Sequence, residues 1–266
     1  MRIGIVGGTG VYDLEFLEDV KELKVTTQFG KPSGNPIVGK IKGSENEIVF
    51  LPRHGKGHIY NPSNVNYRAN IAAMKKLGVR EIIAPAAVGS LNEKIKPGDI
   101  VFPDQLIDRT YMRKVTFYDG KIKVNGKRVC HVSFAYPFCE RLRKILIESA
   151  KEENIKTHDK ATCVVIEGPR FSTKAESNLY RSWKCDIINM TMYPECVLAR
   201  EAEICYASIA MVTDYDCWKE HIVDTETVIK TMKQNVEKVK KIIMNATRKM
   251  KEEDCSCKHA LENAFI

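Results

Sequence analysis

Asp214 and Asp216 stand two residues apart, just after the apolar run from Ile204 to Val212. Side chains alternate along an extended chain, so residues two apart point the same way. Paired carboxylates at the end of a buried strand can accept ligand N–H groups, and one that holds a proton can donate it. A DxD sequence alone equally describes a solvated loop. Other apolar runs end in related chemistry. Residues 2–6 lead into Gly7-Gly8-Thr9-Gly10, where glycines let backbone N–H groups approach a phosphate and Thr9 adds a hydroxyl. Residues 47–52 lead into Arg53-His54-Gly55-Lys56-Gly57-His58, and Arg53 suits a phosphate through two parallel hydrogen bonds. Further strand ends carry Pro85-Ala86-Ala87 before Gly89-Ser90, Glu167 to Phe171-Ser172, and Asn189-Met190-Thr191. Phe171 serves either as core packing or as a plate for a planar ligand. An anion hole beside an acid fits phosphoryl or glycosyl transfer on a nucleoside.

Several chemistries are disfavoured. The glycine loop lacks the third glycine of a dinucleotide fingerprint and the Lys-Ser/Thr of a Walker loop. No Ser-His-Asp arrangement stands out. His54 and His58 lack a third metal ligand nearby, so no metal and no cofactor are expected. The nine cysteines include no CxxC, which speaks against a structural zinc site. Cys139 and Cys205 form a conceivable buried pair, whereas Cys255 and Cys257 are too close in sequence for a relaxed disulfide.

The elements that must position these residues alternate between strands and helices. Strands are expected at 36–42, 47–52, 79–88, 161–166, 187–191 and 204–212. Helices are expected from Asn61-Pro62-Ser63 to Leu77, and over 139–153, 175–183, 194–203 and 225–251. In the last of these Val228, Ile229, Met232, Val236, Val239, Ile242 and Ile243 make an apolar stripe. Residues 111–130 read as a flap or an oligomer surface. The fold class is α/β, a single domain with a central mixed twisted β-sheet flanked by helices. The domain spans residues 1–251, and residues 252–266 form a tail carrying the Cys-x-Cys.

A net charge of +8, much of it on the final helix, does not make the striped basic face of a nucleic-acid binder. No apolar run approaches the ~20 residues that span a bilayer, and no signal peptide is evident, so a cytoplasmic setting without membrane contact is expected. Abundant Lys and Glu, with Ile favoured, point to a thermophile.

The segments GGTGVYD, RHGKGH…PSNVNYRANI, GSL…PGDIV…DQLIDRT, IEGPRFSTKAES, INMTMYPE and TDYDCW resemble the 5′-methylthioadenosine phosphorylase branch of the trimeric purine nucleoside phosphorylase family. The motifs keep the same order over residues 2–245. The resemblance implies the nucleoside phosphorylase fold and a homo-oligomer, a trimer or alternatively a hexamer. It implies phosphate-dependent cleavage of 5′-methylthioadenosine to adenine and 5-methylthioribose 1-phosphate, with inorganic phosphate as co-substrate and no cofactor. It assigns phosphate to Thr9, Arg53, His54, Thr191 and the backbone of Ala86 and Ala87. Met190 falls under the ribose. Phe171 and Ser172 line the purine pocket, Asp214 takes the exocyclic amine, and Asp216 protonates purine N7. Tyr215 between them joins the substrate contacts. His131 resembles a residue supplied by a neighbouring subunit near the 5′ substituent. The sequence departs from the family at Pro85-Ala86-Ala87, where a hydroxyl or amide side chain is usual. It departs again at Thr225, where an aliphatic residue often borders the 5′ pocket; a hydroxyl there suits adenosine as a second substrate. The competing reading is a 6-oxopurine or 5′-methylthioinosine phosphorylase. Such enzymes read the base with Asn, which offers an N–H where Asp offers acceptors.

Overall fold

The computed structural model describes residues 1–8, 17–219 and 225–266, apart from the side chains of Ile122, Thr225 and Thr227. The chain opens with strands β1 (Arg2–Gly7) and β2 (Leu17–Glu22), then the antiparallel pair β3 (Ile37–Ile41) and β4 (Glu47–Pro52). Helix α1 (Tyr67–Lys76) precedes β5 (Glu81–Ser90). Short strands β6 (Ile100–Val101) and β7 (Gln105–Arg109) are followed by a hairpin, β8 (Asp119–Val124) and β9 (Lys127–Val129). The second half runs α2 (Glu140–Glu152), β10 (Thr157–His158), β11 (Thr162–Ile166), α3 (Lys174–Ser182), β12 (Ile187–Asn189), α4 (Met192–Glu201) and β13 (Cys205–Asp214). A 3-10 turn, Asp216–Trp218, then leads toward α5 (Thr225–Lys249).

One mixed sheet of 11 strands holds these together, in the order β10-β6-β13-β5-β1-β4-β3-β2. β5 lies parallel to both β1 and β13. Its last two residues, Gly89 and Ser90, also pair antiparallel with β12, which starts a branch through β11 to β7. Because both faces of the central strands are covered, their sequences are continuously apolar rather than alternating. Alternate residues still go to opposite layers. Ile82, Ala84, Ala86 and Val88 of β5 pack on the side of Ile71 and Met74 of α1 and Leu198 of α4. Ile83 packs with Leu142 and Leu146 of α2 and Val239 and Ile242 of α5. Among the described residues no helix is long and apolar enough to cross a membrane.

Pro85 sits in the middle of β5, opposite Ile209, where a residue lacking an N–H is unusual. Its carbonyl is used instead by the guanidinium of Arg53. α1 begins later than its sequence suggests, because the Asn66 side chain accepts from Ala69 N–H and caps the helix there. Residues 111–130 are not simply a flap. They form the β8–β9 hairpin, preceded by Arg113, whose side chain is almost wholly buried. The last residues fold back on the domain: Cys257 and Ala264 are buried, and the Phe265 ring meets Tyr118 edge-on.

Candidate active site

The parallel strands β1, β4, β5 and β13 all end on one side of the sheet, where open α/β sheets keep their ligand crevices. A cavity of about 760 Å³ opens there. Its walls carry Gly8, Arg53, His54, Ala86, Ala87, Phe171, Ser172, Met190, Thr191, Asp214 and Asp216. Thr9 and the side chain of Thr225 lie outside the described residues. Two other expected contacts are elsewhere. Tyr215 turns away from the cavity, meeting Trp218 edge-on with the Lys219 ammonium over its face. His131 is exposed and lines a different cavity of about 950 Å³, alongside Cys139, Cys255 and Cys257.

The two carboxylates do not share a side through strand alternation. β13 is bulged between Val212 and Asp214, and Asp216 takes φ +50° at the start of the 3-10 turn. Asp tolerates this left-handed conformation better than most residues. The pair is brought together by hydrogen bonds. Asp214 Oδ1 accepts from the backbone N–H of Asp216 at 2.7 Å, and Oδ2 accepts from the Thr213 hydroxyl at 2.7 Å. Gly89 makes room: a Cβ on it would lie 2.9 Å from Asp214 Oδ1 and 3.0 Å from Ile188 Cγ2. Trp218 pins the turn, its indole N–H donating to Ser90 carbonyl at 2.7 Å while Arg181 stacks on the ring at 3.9 Å. Burial pushes both carboxyls above the usual range. For Asp214 the Thr213 hydroxyl and Asp216 N–H oppose that push while the Asp216 charge adds to it; for Asp216 the Ser177 hydroxyl and the Cys217 N–H oppose it. Two donated bonds of 2.7 Å fix the Asp214 carboxylate in place.

At the other group of residues, Arg53 is almost fully buried, and its fork does not face a ligand. Nε and Nη2 bind the two Glu195 oxygens at 2.8 and 2.9 Å, Nη2 also donates to Val6 carbonyl, and Nη1 donates to Pro85 carbonyl. Four of its five N–H groups are thereby used, so the bidentate phosphate grip read from the sequence gives way to a single remaining N–H on Nη1. That nitrogen lies beside Gly8, at 3.7 Å from where a Cβ would stand. His54 is held neutral: burial first, then Arg53, lowers it to about 4. Nδ1 lies 2.9 Å from Tyr60 carbonyl, which can only accept, so Nδ1 carries the proton. Nε2 is then an acceptor, suited to a phosphate or ribose hydroxyl rather than to a bare anionic oxygen. Asn189 anchors the neighbouring turn. It donates to Ala87 carbonyl at 2.8 Å and accepts the N–H groups of Thr191 and Met192 at 2.7 Å, which sets Thr191 at the N-terminus of α4.

The loop bearing Phe171 and Ser172 is fixed by Arg113, which donates to Glu167 carbonyl at 2.7 Å and pairs with the Glu167 carboxylate at 3.3 Å. Gly168 lets Met190 pass closely: its φ is +69°, and a Cβ would lie 2.6 Å from Met190 Sδ. Ser172 Oγ is buried with no hydrogen-bond partner, although it borders the cavity. A ligand group that bonds it would remove the cost of that orphan. Val228, Ile229 and Met232, expected in the apolar stripe of the last helix, line the cavity, Met232 while also packing against the core.

A family profile described as the phosphorylase superfamily matches residues 2–248. The chain belongs to this superfamily. Among its relatives is the S-methyl-5'-thioadenosine phosphorylase of Thermofilum pendens, 49% identical over 267 residues that cover 100% of this chain and 99% of the relative. The enzyme of the same name from Pyrococcus furiosus is 50% identical over 266 residues, covering 100% and 99%. A solved structure of methylthioadenosine phosphorylase from Schistosoma mansoni with adenine superposes with TM-score 0.93 at 39% identity, covering 100% of this chain and 99% of that one. A mutant of the Schistosoma mansoni adenosine/methylthioadenosine phosphorylase, solved with methylthioadenosine, superposes with TM-score 0.87 at 42% identity over 93% and 90% of the two chains.

Two residues at the site, Glu195 and Arg113, were passed over in the reading of strand ends. Glu195 lies inside α4 and looks like an ordinary helix-start acid; only the fold sets it against Arg53. Arg113 sits in a stretch without hydrophobic period. The sole sequence signal for Asn189 was its place at a strand end, beside Met190 and Thr191.

Proposed function

We propose that the chain catalyses phosphate-dependent cleavage of 5′-methylthioadenosine, yielding adenine and 5-methylthioribose 1-phosphate. The observation that carries this reading is the Asp214–Asp216 pair, Asp216 buried and Asp214 half-buried with both carboxyls shifted upward, on the wall of the same cavity as Arg53, His54 and Thr191. The relatives named S-methyl-5'-thioadenosine phosphorylase, near 50% identity over the whole chain, support it. Phosphate attacks ribose C1′ as the N-glycosidic bond breaks. Charge leaves the sugar for the purine, so the transition state is cationic at the ribose and anionic at the base. Asp216 gives its proton to N7 and the purine leaves neutral. The phosphate stabilises the sugar cation beside it. It is held by the free Nη1 N–H of Arg53, the hydroxyls of Thr191 and Thr9, and backbone at Ala86 and Ala87. His54 takes a phosphate hydroxyl. Asp214 accepts from the 6-amino group, Ser172 bonds the purine, Phe171 stacks on it, and Met190 packs under the ribose. The apolar wall of Val228, Ile229 and Met232 suits a methylthio group better than a hydroxyl.

We place the enzyme in purine and methionine salvage, in the cytoplasm, as a trimer in which His131 reaches a neighbour's 5′ pocket. His131 is exposed and away from its own chain's cavity, as such a role requires. The Lys-, Glu- and Ile-rich composition supports a thermophilic setting.

A substrate panel tests the reading. Methylthioadenosine, adenosine, methylthioinosine and inosine are assayed with and without phosphate, following base release by chromatography. Methylthioadenosine should turn over fastest, and only with phosphate present. A preference for methylthioinosine would overturn the assignment of Asp214, and turnover independent of phosphate would overturn the reaction class.

A further inference from the structure

Four of the nine cysteines meet far from the active-site cavity. The sulfurs of Cys139, Cys205, Cys255 and Cys257 all lie within 4.8 Å of one another, and Cys139 Sγ and Cys255 Sγ are 3.6 Å apart. All nine cysteines are free thiols. We propose that these four form a tetrahedral binding site for a zinc ion. Sulfurs about 2.3 Å from a central zinc sit ~3.8 Å from each other in a tetrahedron, so the observed cluster needs only small rotamer adjustments.

The ligands would come from three distant segments, a pattern that CxxC spacing does not capture. Cys139 is the N-cap of α2, and its backbone N–H donates to Tyr206 carbonyl at 2.8 Å. Cys205 is the first residue of β13. These two are fixed by the core. Cys255 and Cys257 come from the folded-back tail, with Cys257 in a short 3-10 turn. Two observations beyond the sulfur cluster fit a negatively charged metal centre. Cys139 stands at the N-terminus of α2, where the helix end favours a thiolate. Arg141 Nη2 lies 3.9 Å from Cys205 Sγ, while the buried Nε and Nη1 of the same side chain make no hydrogen bond. When zinc enters, four Zn–S bonds form, the four thiol protons leave to solvent, and the centre carries a net charge of −2. Arg141, which also pairs with the buried Glu81 carboxylate, then shares its charge between Glu81 and the centre.

The tetrad lies at the start of β13 and Asp214 at its end, nine residues on, which is about 30 Å along a strand. The metal therefore fastens the tail to α2 and the sheet, and takes no part in glycosidic cleavage.

The full chain, purified under reductant and dialysed against metal-free buffer, should retain about one zinc per chain by elemental analysis. After zinc removal, titration with cobalt chloride should give the thiolate-to-cobalt charge-transfer band and the strong red ligand-field bands of tetrahedral sulfur ligation. Cys257→Ser should lower the zinc content to under ~0.1 per chain, and Cys130→Ser should leave it unchanged. Should Cys257→Ser fail to fold, the cobalt spectrum of the unsubstituted chain decides alone. Nine titratable thiols with no bound metal would overturn the proposal. So would iron in place of zinc, or a loss of four thiols to disulfides.

Discussion

Asp216 combines three properties at one residue: burial, a left-handed backbone and a raised carboxyl. Asp216→Asn keeps the shape and tolerates the same φ, so it isolates the proton. It should lower kcat on methylthioadenosine by about 10²–10⁴-fold, as expected for removal of a general acid. The unsubstituted enzyme needs Asp216 protonated, so kcat should decline as pH rises through its raised pKa. That alkaline limb should disappear in the variant. Stability follows the same direction with pH. A carboxyl raised on folding adds stability that is full below its unfolded pKa and is lost as pH rises through the folded one. Asp216→Asn should therefore raise the thermal midpoint at pH 7 and leave it unchanged at pH 3. His54 has the opposite sign. Its folded pKa of about 4 lies below the unfolded 6.5, so protons favour the unfolded chain as pH falls between the two. His54→Gln should flatten the decline of unfolding free energy over that interval, by about 3 kcal/mol in urea titrations.

At the scale of elements, the site depends on strands that end where their neighbours permit. β5 contributes no side chain to the Asp214 carboxylate, and that omission is its function at Gly89. Gly89→Ala places a methyl group 2.9 Å from Asp214 Oδ1, between that oxygen and Ile188. One of them must move. Both kcat and the affinity for the base should fall, with kcat/KM down by about 10–100-fold and little change in unfolding free energy, because the displaced carboxylate is half-exposed to the cavity. The same element shows where sequence reading and structure part. β5 is legible as a buried strand from its apolar run, even with Pro85 inside it. Its second partner, β12, is not. Ile187 to Asn189 reads as any short strand, and only its antiparallel pairing at Gly89 and Ser90 brings Asn189 against Ala87.

For the whole molecule, the tail at residues 252–266 is part of the folded unit. It buries Cys257 and Ala264, joins Phe265 to Tyr118, and accepts the His131 backbone N–H at Ala264 carbonyl, 2.8 Å away. Deleting residues 252–266 should lower unfolding free energy by roughly 2 kcal/mol or more from lost apolar burial alone. The loss should be visible as a lower midpoint in calorimetry. The deletion leaves every residue on the active-site cavity wall in place. A truncated chain as stable as the full one would show that this packing contributes nothing.

The sequence by itself determined the α/β class, the core strands and most of the residues on the cavity wall. Apolar runs, glycine turns and the polar groups that follow them are local properties, and they survive without knowledge of what touches what. The carboxylates Asp214 and Asp216, the Arg53-His54 loop, Phe171-Ser172 and Met190-Thr191 were all visible as strand ends. Only the tertiary structure decided how those groups divide their hydrogen bonds. It gave the Arg53 fork to Glu195, 142 positions away in the chain, and left His54 neutral, its Nδ1–H donating to Tyr60 carbonyl. It turned Tyr215 away, set Val228, Ile229 and Met232 on the cavity wall, and gathered four cysteines from three segments. Each of these outcomes follows from burial and from partners distant in sequence, and neither burial nor long-range partnership is encoded in any one stretch of residues.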